Sequence, residues 1–175
     1  MFAAALWTES KRRLVLARDR MGIKPLYWTK IGDDIYFGSE LKALFVHPEI
    51  QRKLDPQGLA VYLTRNYPSP HHTLLQGIHK LAPGNYLEWN EGKIQESKYW
   101  PLPYNIRSWE LGEAKEQLDS LLRSAIHEHL LSDVPLGVWA SGGLDSSTVL
   151  HYAAEAVPKL KTFSVSFAGR CTACL

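Results

Sequence analysis

Along the chain the apolar positions change their rhythm once. Through the first hundred residues they come in short runs cut by turn residues, and beyond residue 110 they recur at helical spacing. Short apolar runs bounded by Gly, Asn and Asp predict strands at Phe2–Trp7, Arg13–Ala17, Pro25–Thr29 and Asp34–Gly38, joined at 8–12, Met21-Gly22 and Ile31-Gly32-Asp33. Four such strands on tight turns predict an antiparallel meander, with the uncharged first strand buried. Ser39-Glu40 opens a short helix reaching Phe45. Asp55-Pro56 is a stronger start, an N-cap followed by proline at the first helical position, and predicts a helix to about Asn66 with Leu59, Tyr62 and Leu63 on one face.

Tyr67–Thr73 reads as a loop, and Asn85–Trp89 with Ile94–Tyr99 as a hairpin across Asn90-Glu91-Gly92. Residues 101–109 hold two prolines and little periodicity, which marks a linker. After it Leu111, Ala114, Leu118, Leu121, Leu122, Ala125, Ile126 and Leu130 lie at helical spacing. The apolar run Val134–Ala140 predicts a strand, Thr148–Val157 a helix and Thr162–Phe167 a second buried strand. Strand, helix, strand is a βαβ unit, which expects a parallel sheet. The sequence thus predicts an α+β portion with an antiparallel sheet over residues 1–100, then the start of an α/β parallel-sheet domain over 110–175.

Chemistry concentrates between the last strand–helix pair, in Ser141-Gly142-Gly143-Leu144-Asp145-Ser146-Ser147. A helix starting near Asp145 exposes unpaired N–H groups and a partial positive charge, both suited to phosphate. Gly142 and Gly143 allow close approach and positive φ, and Ser141, Ser146 and Ser147 add hydroxyl donors. A structural turn capped by Asp145 is the plainer alternative. The lysine-bearing G-x-x-x-x-G-K-[ST] loop is absent; the S-G-G-x-D-S form resembles the loop of ATP pyrophosphatases, which split ATP between its α- and β-phosphates.

Other strings extend the resemblance. Arg18-Asp19-Arg20-Met21-Gly22-Ile23-Lys24-Pro25-Leu26-Tyr27, Phe37-Gly38-Ser39-Glu40-Leu41-Lys42-Ala43-Leu44 and the pair Tyr99-Trp100 resemble signatures of class II glutamine amidotransferase domains. With the serine-rich loop behind them, residues 1–169 resemble the glutamine-hydrolysing asparagine synthetases. The resemblance implies an Ntn-type antiparallel sheet followed by a PP-loop domain of the adenine nucleotide alpha hydrolase type. It implies ATP and Mg²⁺ as cofactors, aspartate and glutamine as further small-molecule substrates, and a homodimer for the full-length parent. By position, Ala140 meets the nucleotide, Ser141, Gly142, Gly143, Leu144, Asp145, Ser146 and Ser147 hold pyrophosphate, Asp145 helps place the metal, and Val165 contacts adenine.

The departures set further expectations. That family's glutaminase nucleophile is an N-terminal cysteine, whereas residue 1 is Met1, and the two cysteines, Cys171 and Cys174, fall in a tail, Cys171–Leu175, that matches nothing in the family. The chain therefore reads as a fragment across the joint between two domains, inactive alone, with no catalytic residue assigned. A β-lactam synthetase-like enzyme and a non-catalytic nucleotide-binding remnant are the alternatives.

Composition narrows the rest. The chain is 175 residues, 45% hydrophobic and 22% charged, with a net charge of +2. That balance is globular and gives no electrostatic case for nucleic acid. No apolar run reaches the ~18 residues a membrane span needs, and the scarcity of cysteine fits a reducing cytoplasm. His127-Glu128-His129 lacks the H-E-x-x-H spacing of a zinc protease. His71-His72 reads as solvated, the six tryptophans as core or interface, and Arg18, Asp19 and Arg20 as a strand-end ion pair holding the Gly22 turn.

Overall fold

The computed structural model describes residues 1–68, 72–102, 104 and 106–166. The chain divides into two compact units, Met1–Tyr104 and Asn105–Leu175.

In the first unit β1 (Ala3–Thr8), β2 (Arg13–Arg18), β3 (Tyr27–Ile31) and β4 (Asp34–Gly38) follow one another, then α1 (Leu41–Leu44), α2 (Pro56–Arg65), β5 (His79–Lys80), β6 (Asn85–Asn90) and β7 (Lys93–Lys98). The four strands predicted first do form, but not as one meander. They are shared between two antiparallel sheets, ordered β1-β2-β6-β7 and β4-β3-β5. The second edge of β2 is taken by β6, with Leu16 opposite Leu87 and Leu14 opposite Trp89. Alternation along β2 turns Leu14, Leu16 and Arg18 inward. Leu14, Leu16 and Leu87 from one sheet meet Leu26 and Leu81, with Trp28 and Ile35 of the other sheet packed against them.

The chain crosses from β2 to β3 through a charged clamp. Arg18 and Asp19 are both buried, at 3% and 5% exposure, yet they do not bond each other as expected. Neighbours on a strand point to opposite faces, so each charge finds backbone instead. Arg18 donates through Nε to the Lys24 carbonyl (2.8 Å), through Nη1 to the Leu81 carbonyl (2.7 Å) and through Nη2 to the Gly22 carbonyl. The Asp19 carboxylate accepts from the N–H groups of Ile23 and Lys24, each at 3.0 Å, of Met21 at 3.2 Å and of Phe2 at 3.3 Å. The loop closes on Gly22, whose φ is +66°; a Cβ there would lie 2.8 Å from Pro83 Cγ and 2.9 Å from Arg18 Cζ. Tyr99 completes the arrangement by donating its hydroxyl to the Arg18 carbonyl at 2.8 Å. Burial pushes the Asp19 carboxyl up, but the N–H groups of Lys24, Ile23, Phe2 and Met21 together outweigh it and hold it below the usual carboxylate range.

Two expected faces differ. β1 is an edge strand with Leu6 63% and Trp7 46% exposed, not a buried one, because only β2 pairs with it. α2 begins as predicted, with Asp55 Oδ1 accepting from the Gln57 N–H at 3.1 Å, and ends at Asn66. It buries Gly58 against the Thr73 carbonyl, so that Tyr62 and Leu63 face outward.

The second unit runs α3 (Leu111–His129), β8 (Gly137–Trp139), α4 (Leu144–Ala156) and β9 (Lys161–Phe163). β8 and β9 pair in parallel, Val138 opposite Thr162. The strands are shorter than predicted, and the expected burial is missing: Trp139 is 71% and Phe163 50% exposed. Each strand has one partner, and within this unit only Tyr152 and Ala153 are buried among the described residues. Phe167 and the tail Cys171–Leu175 lie outside the described residues, as does His71. α3 follows the predicted spacing, but Leu111, Leu118 and Leu121 are exposed, and its half-buried residues are Ala114, Leu122, Arg123 and Ile126, continued by Leu130 at the C-cap. The described chain is therefore a mixed α/β structure with two antiparallel sheets and one parallel pair.

A carboxyl held below its unfolded value contributes stability in full above the unfolded pKa and loses it as pH falls through the folded value. The urea midpoint should therefore drop as pH is lowered from about 4 toward acid, and Asp19→Asn should flatten that drop. At neutral pH Asp19→Ala should cost about 3 kcal/mol or more, the scale of emptying a buried charged network. An unaltered midpoint in Asp19→Ala would remove the clamp from the account.

Candidate functional site

The nine residues singled out by sequence lie at the carboxyl ends of β8 and β9. Parallel strands put their carboxyl ends on one edge, which is where open α/β sheets bind ligands. Ala140 follows β8 and is tied to β9 twice: its N–H donates to the Phe163 carbonyl at 2.8 Å, and its carbonyl accepts the Ser164 hydroxyl at 2.6 Å. Val165 comes one residue later and is 70% exposed. Ala140 and Val165 thus share this edge.

Between them the chain turns on Gly142, whose φ is +81°. A left-handed turn directly after a strand suits glycine, which has no Cβ to meet the following carbonyl. Gly143 differs from the sequence expectation. It is the N-cap of α4 with φ −79° and ψ 166°, ordinary extended backbone. Asp145 is in the first turn and not the cap; no side chain caps this helix. The N–H groups of its first turn have no carbonyl one turn back to bond within the helix, and the intrahelical ladder opens with the Ser147 N–H on the Gly143 carbonyl at 3.0 Å.

The serines divide into two roles. Ser141 and Ser146 hold the loop in shape: their hydroxyls are 3.0 Å apart, Ser146 Oγ donates to the Gly143 carbonyl at 3.1 Å, and the Ser141 N–H donates to Ser146 Oγ at 3.3 Å. Ser147 is exposed, and so are Leu144 and Asp145. Chemically the arrangement offers a row of backbone donors at a helix N-terminus, a rotatable hydroxyl and one free-standing carboxylate, all facing water. That set suits a phosphate and, at Asp145, a hard cation that keeps most of its ligands elsewhere.

Sequence reasoning passed over Ser164, whose hydroxyl joins the two strand ends. The alternation T-F-S-V-S in 162–166 was its only signal. The remaining candidates build nothing here. His129 Nδ1 donates to the Ala125 carbonyl within its own helix at 2.6 Å. Among the described residues no group of three His, Cys, Asp or Glu could hold a metal, and no helix is long and apolar enough to cross a membrane.

Comparison with known proteins divides the chain in two. Residues 1–100 match the family described as glutamine amidotransferase domain, and residues 117–172 the family described as asparagine synthase. Glutamine-hydrolyzing asparagine synthetase 3 of Bacillus subtilis (strain 168) is 32% identical over 173 residues, covering 95% of this chain and 28% of the relative. The Gibberella zeae protein named Amidase chry2 is 35% identical over 159 residues, covering 85% of this chain and 22% of its own length. A solved structure titled glutamine phosphoribosylpyrophosphate amidotransferase from B. subtilis, complexed with ADP and GMP, aligns over 90% of this chain and 32% of its own, at TM-score 0.32 and 17% identity. The chain spans between a fifth and a third of the length of these proteins.

The two glycines should separate in a thermal unfolding experiment. Gly142→Ala places a Cβ on a positive-φ residue and should destabilise the second unit by about 1–2 kcal/mol. Gly143→Ala meets only Ser141 Oγ, at 3.5 Å, and should unfold like the unaltered chain. Equal losses in both would contradict this backbone geometry.

Proposed function

We propose, for a chain that belongs to the glutamine amidotransferase domain family over residues 1–100 and matches asparagine synthase over 117–172, that Ser141–Ser147 binds the phosphates of ATP in an amide-forming ligase of the glutamine-hydrolysing asparagine synthetase type. The observation that carries this reading is the loop's placement: Gly142 at φ +81° and the uncapped start of α4, at the carboxyl ends of two parallel strands. The domain plan is the end of an Ntn-type amidotransferase domain at 1–100, a linker at 101–109 and the opening of a PP-loop domain at 110–175.

In this reading the first-turn N–H groups of α4 and the Ser147 hydroxyl hold the pyrophosphate. Ser141 and Ser146 fix the loop that presents them, and the Ala140 backbone and Val165 flank the nucleotide. The exposed Asp145 carboxylate fits Mg²⁺, which takes one or two protein carboxylates beside substrate phosphates; bound there, the ion supplies neutralisation of phosphate charge. The reaction class explains why the loop must hold the leaving group. A carboxylate is a poor acyl donor. Its oxygen forms a bond to the α-phosphorus of ATP while the bond from that phosphorus to the bridging α–β oxygen breaks, and pyrophosphate departs with the negative charge the loop's donors stabilise. Ammonia then forms the C–N bond as AMP leaves and a proton is lost to solvent. The substrates are small molecules, with aspartate as the acyl donor and glutamine as the ammonia source, and the compartment is the cytoplasm.

Titrating Mg–pyrophosphate into the chain by calorimetry tests this reading. The unaltered chain should bind. Gly143→Val should not, because its backbone conformation accepts a side chain while a branched one would fill the space where phosphate approaches. Ser146→Ala should weaken binding by about 1 kcal/mol, the scale of the one hydrogen bond to the Gly143 carbonyl that braces the loop. Equal binding by all three would return Ser141–Ser147 to the role of a structural turn.

A further inference from the structure

α4 carries the phosphate loop at one end and a polar network near the other. Tyr152 is buried, at 7% exposure, and its hydroxyl donates to Asp119 Oδ1 of α3 at 2.8 Å. The other oxygen of Asp119 faces Arg123 Nη2 at 3.4 Å, one turn along the same helix. Arg123 reaches back to Glu155 of α4 through Nη1, and its guanidinium lies 5.2 Å from the centre of the Tyr152 ring. Two residues from each helix are thus linked through Asp119 and Arg123.

The apolar contact between these helices is loose. A hollow of about 410 Å³ lies among Ile126, Leu130, Val138, Val149, Ala153 and Leu160. Apolar surfaces that do not interlock leave a helix free to slide or turn, whereas the partly buried bond of the Tyr152 hydroxyl to a carboxylate favours one register. Tyr152 is eight residues from Leu144, about 12 Å along the axis at the helical rise. At the far end the N-cap is a glycine with no side-chain cap, and the Ser141 and Ser146 bonds there tie the loop to the helix's own first turn and not to α3.

Resting on the phosphate reading of Ser141–Ser147, we propose that Tyr152 and Asp119 are positioning residues for that loop: with Arg123 and Glu155 they lock α4 against α3, so that the helix presents its first-turn N–H groups in one place. The network touches no ligand and acts through the register of the helix. Asp119 titrates consistently with this role, the Tyr152 hydroxyl being the main cause that holds its carboxyl below the usual range.

Mg–pyrophosphate calorimetry on the full chain tests the proposal, with helical circular dichroism recorded on each variant. Tyr152→Phe keeps the ring and removes the hydroxyl; its affinity should fall about five- to tenfold with helical content unchanged, on the scale of one ordinary, partly exposed hydrogen bond. Asp119→Ala should fall as far, and Asp119→Asn, which still offers an acceptor, should recover most of the loss. If Tyr152→Phe loses helical content, the two Asp119 variants decide alone, because an acceptor-specific rescue is not expected of a general packing defect. Undiminished binding by a helical Tyr152→Phe, or no rescue by Asp119→Asn, overturns the proposal while leaving the phosphate site standing. No binding by the unaltered chain removes the phosphate reading and the proposal with it.

Discussion

The first unit depends on how two buried charges are satisfied without each other. Arg18 ends β2 and Asp19 follows it, and between them they bond the backbone of Phe2, Met21, Gly22, Ile23, Lys24 and Leu81. A buried charge is costly unless hydrogen bonds replace its water, so the loop between the sheets is held in the one shape that supplies them. That shape sends β3 away from β2, leaves the edge of β2 to β6, and brings Leu26 and Leu81 into the cluster around Leu16 and Leu87. The string R-D-R-M-G-I-K-P-L is therefore architectural here: Gly22 permits the turn, Arg18 and Asp19 line it, and Leu26 enters the core.

The second unit rests on a different constraint. Its parallel strands put Ala140 and Val165 on one edge, and the chain must leave that edge through Gly142 to begin α4. The turn and the helix start leave a row of N–H groups facing outward, and two serine hydroxyls are used up in keeping the turn closed. Structure and proposed function meet in that division. The residues that look most like ligands by type, Ser141 and Ser146, brace the loop, while the backbone does the presenting.

Local chemistry was legible and long-range choice was not. The start of α2 at Asp55-Pro56 and the hairpin expected across Asn90-Glu91-Gly92 follow from residues within a few positions of one another; both formed, the hairpin with Asn90 paired to Lys93 and its turn on Glu91-Gly92 alone. The partner of β2 did not follow, because nothing within Arg13–Arg18 says whether β3 or the distant β6 lies beside it. Burial failed for a related reason. Leu6, Leu63 and Trp139 are apolar, but burial also needs enough neighbours on every side, and each stays more than 60% exposed among the described residues. The candidate loop was legible as a turn between strand and helix because seven consecutive residues carry it. Ser164 and the Tyr152–Asp119 bond were not, since each joins residues that only the folded chain brings together.

Backbone amide resonances followed during a titration with Mg–pyrophosphate test the central claim most directly, since they report on the groups said to bind. The account predicts saturable shifts centred on Gly142–Ser147, with the amides of the Arg18–Asp19 clamp unmoved. Saturable shifts confined to another part of the chain, or none at millimolar ligand, would contradict it.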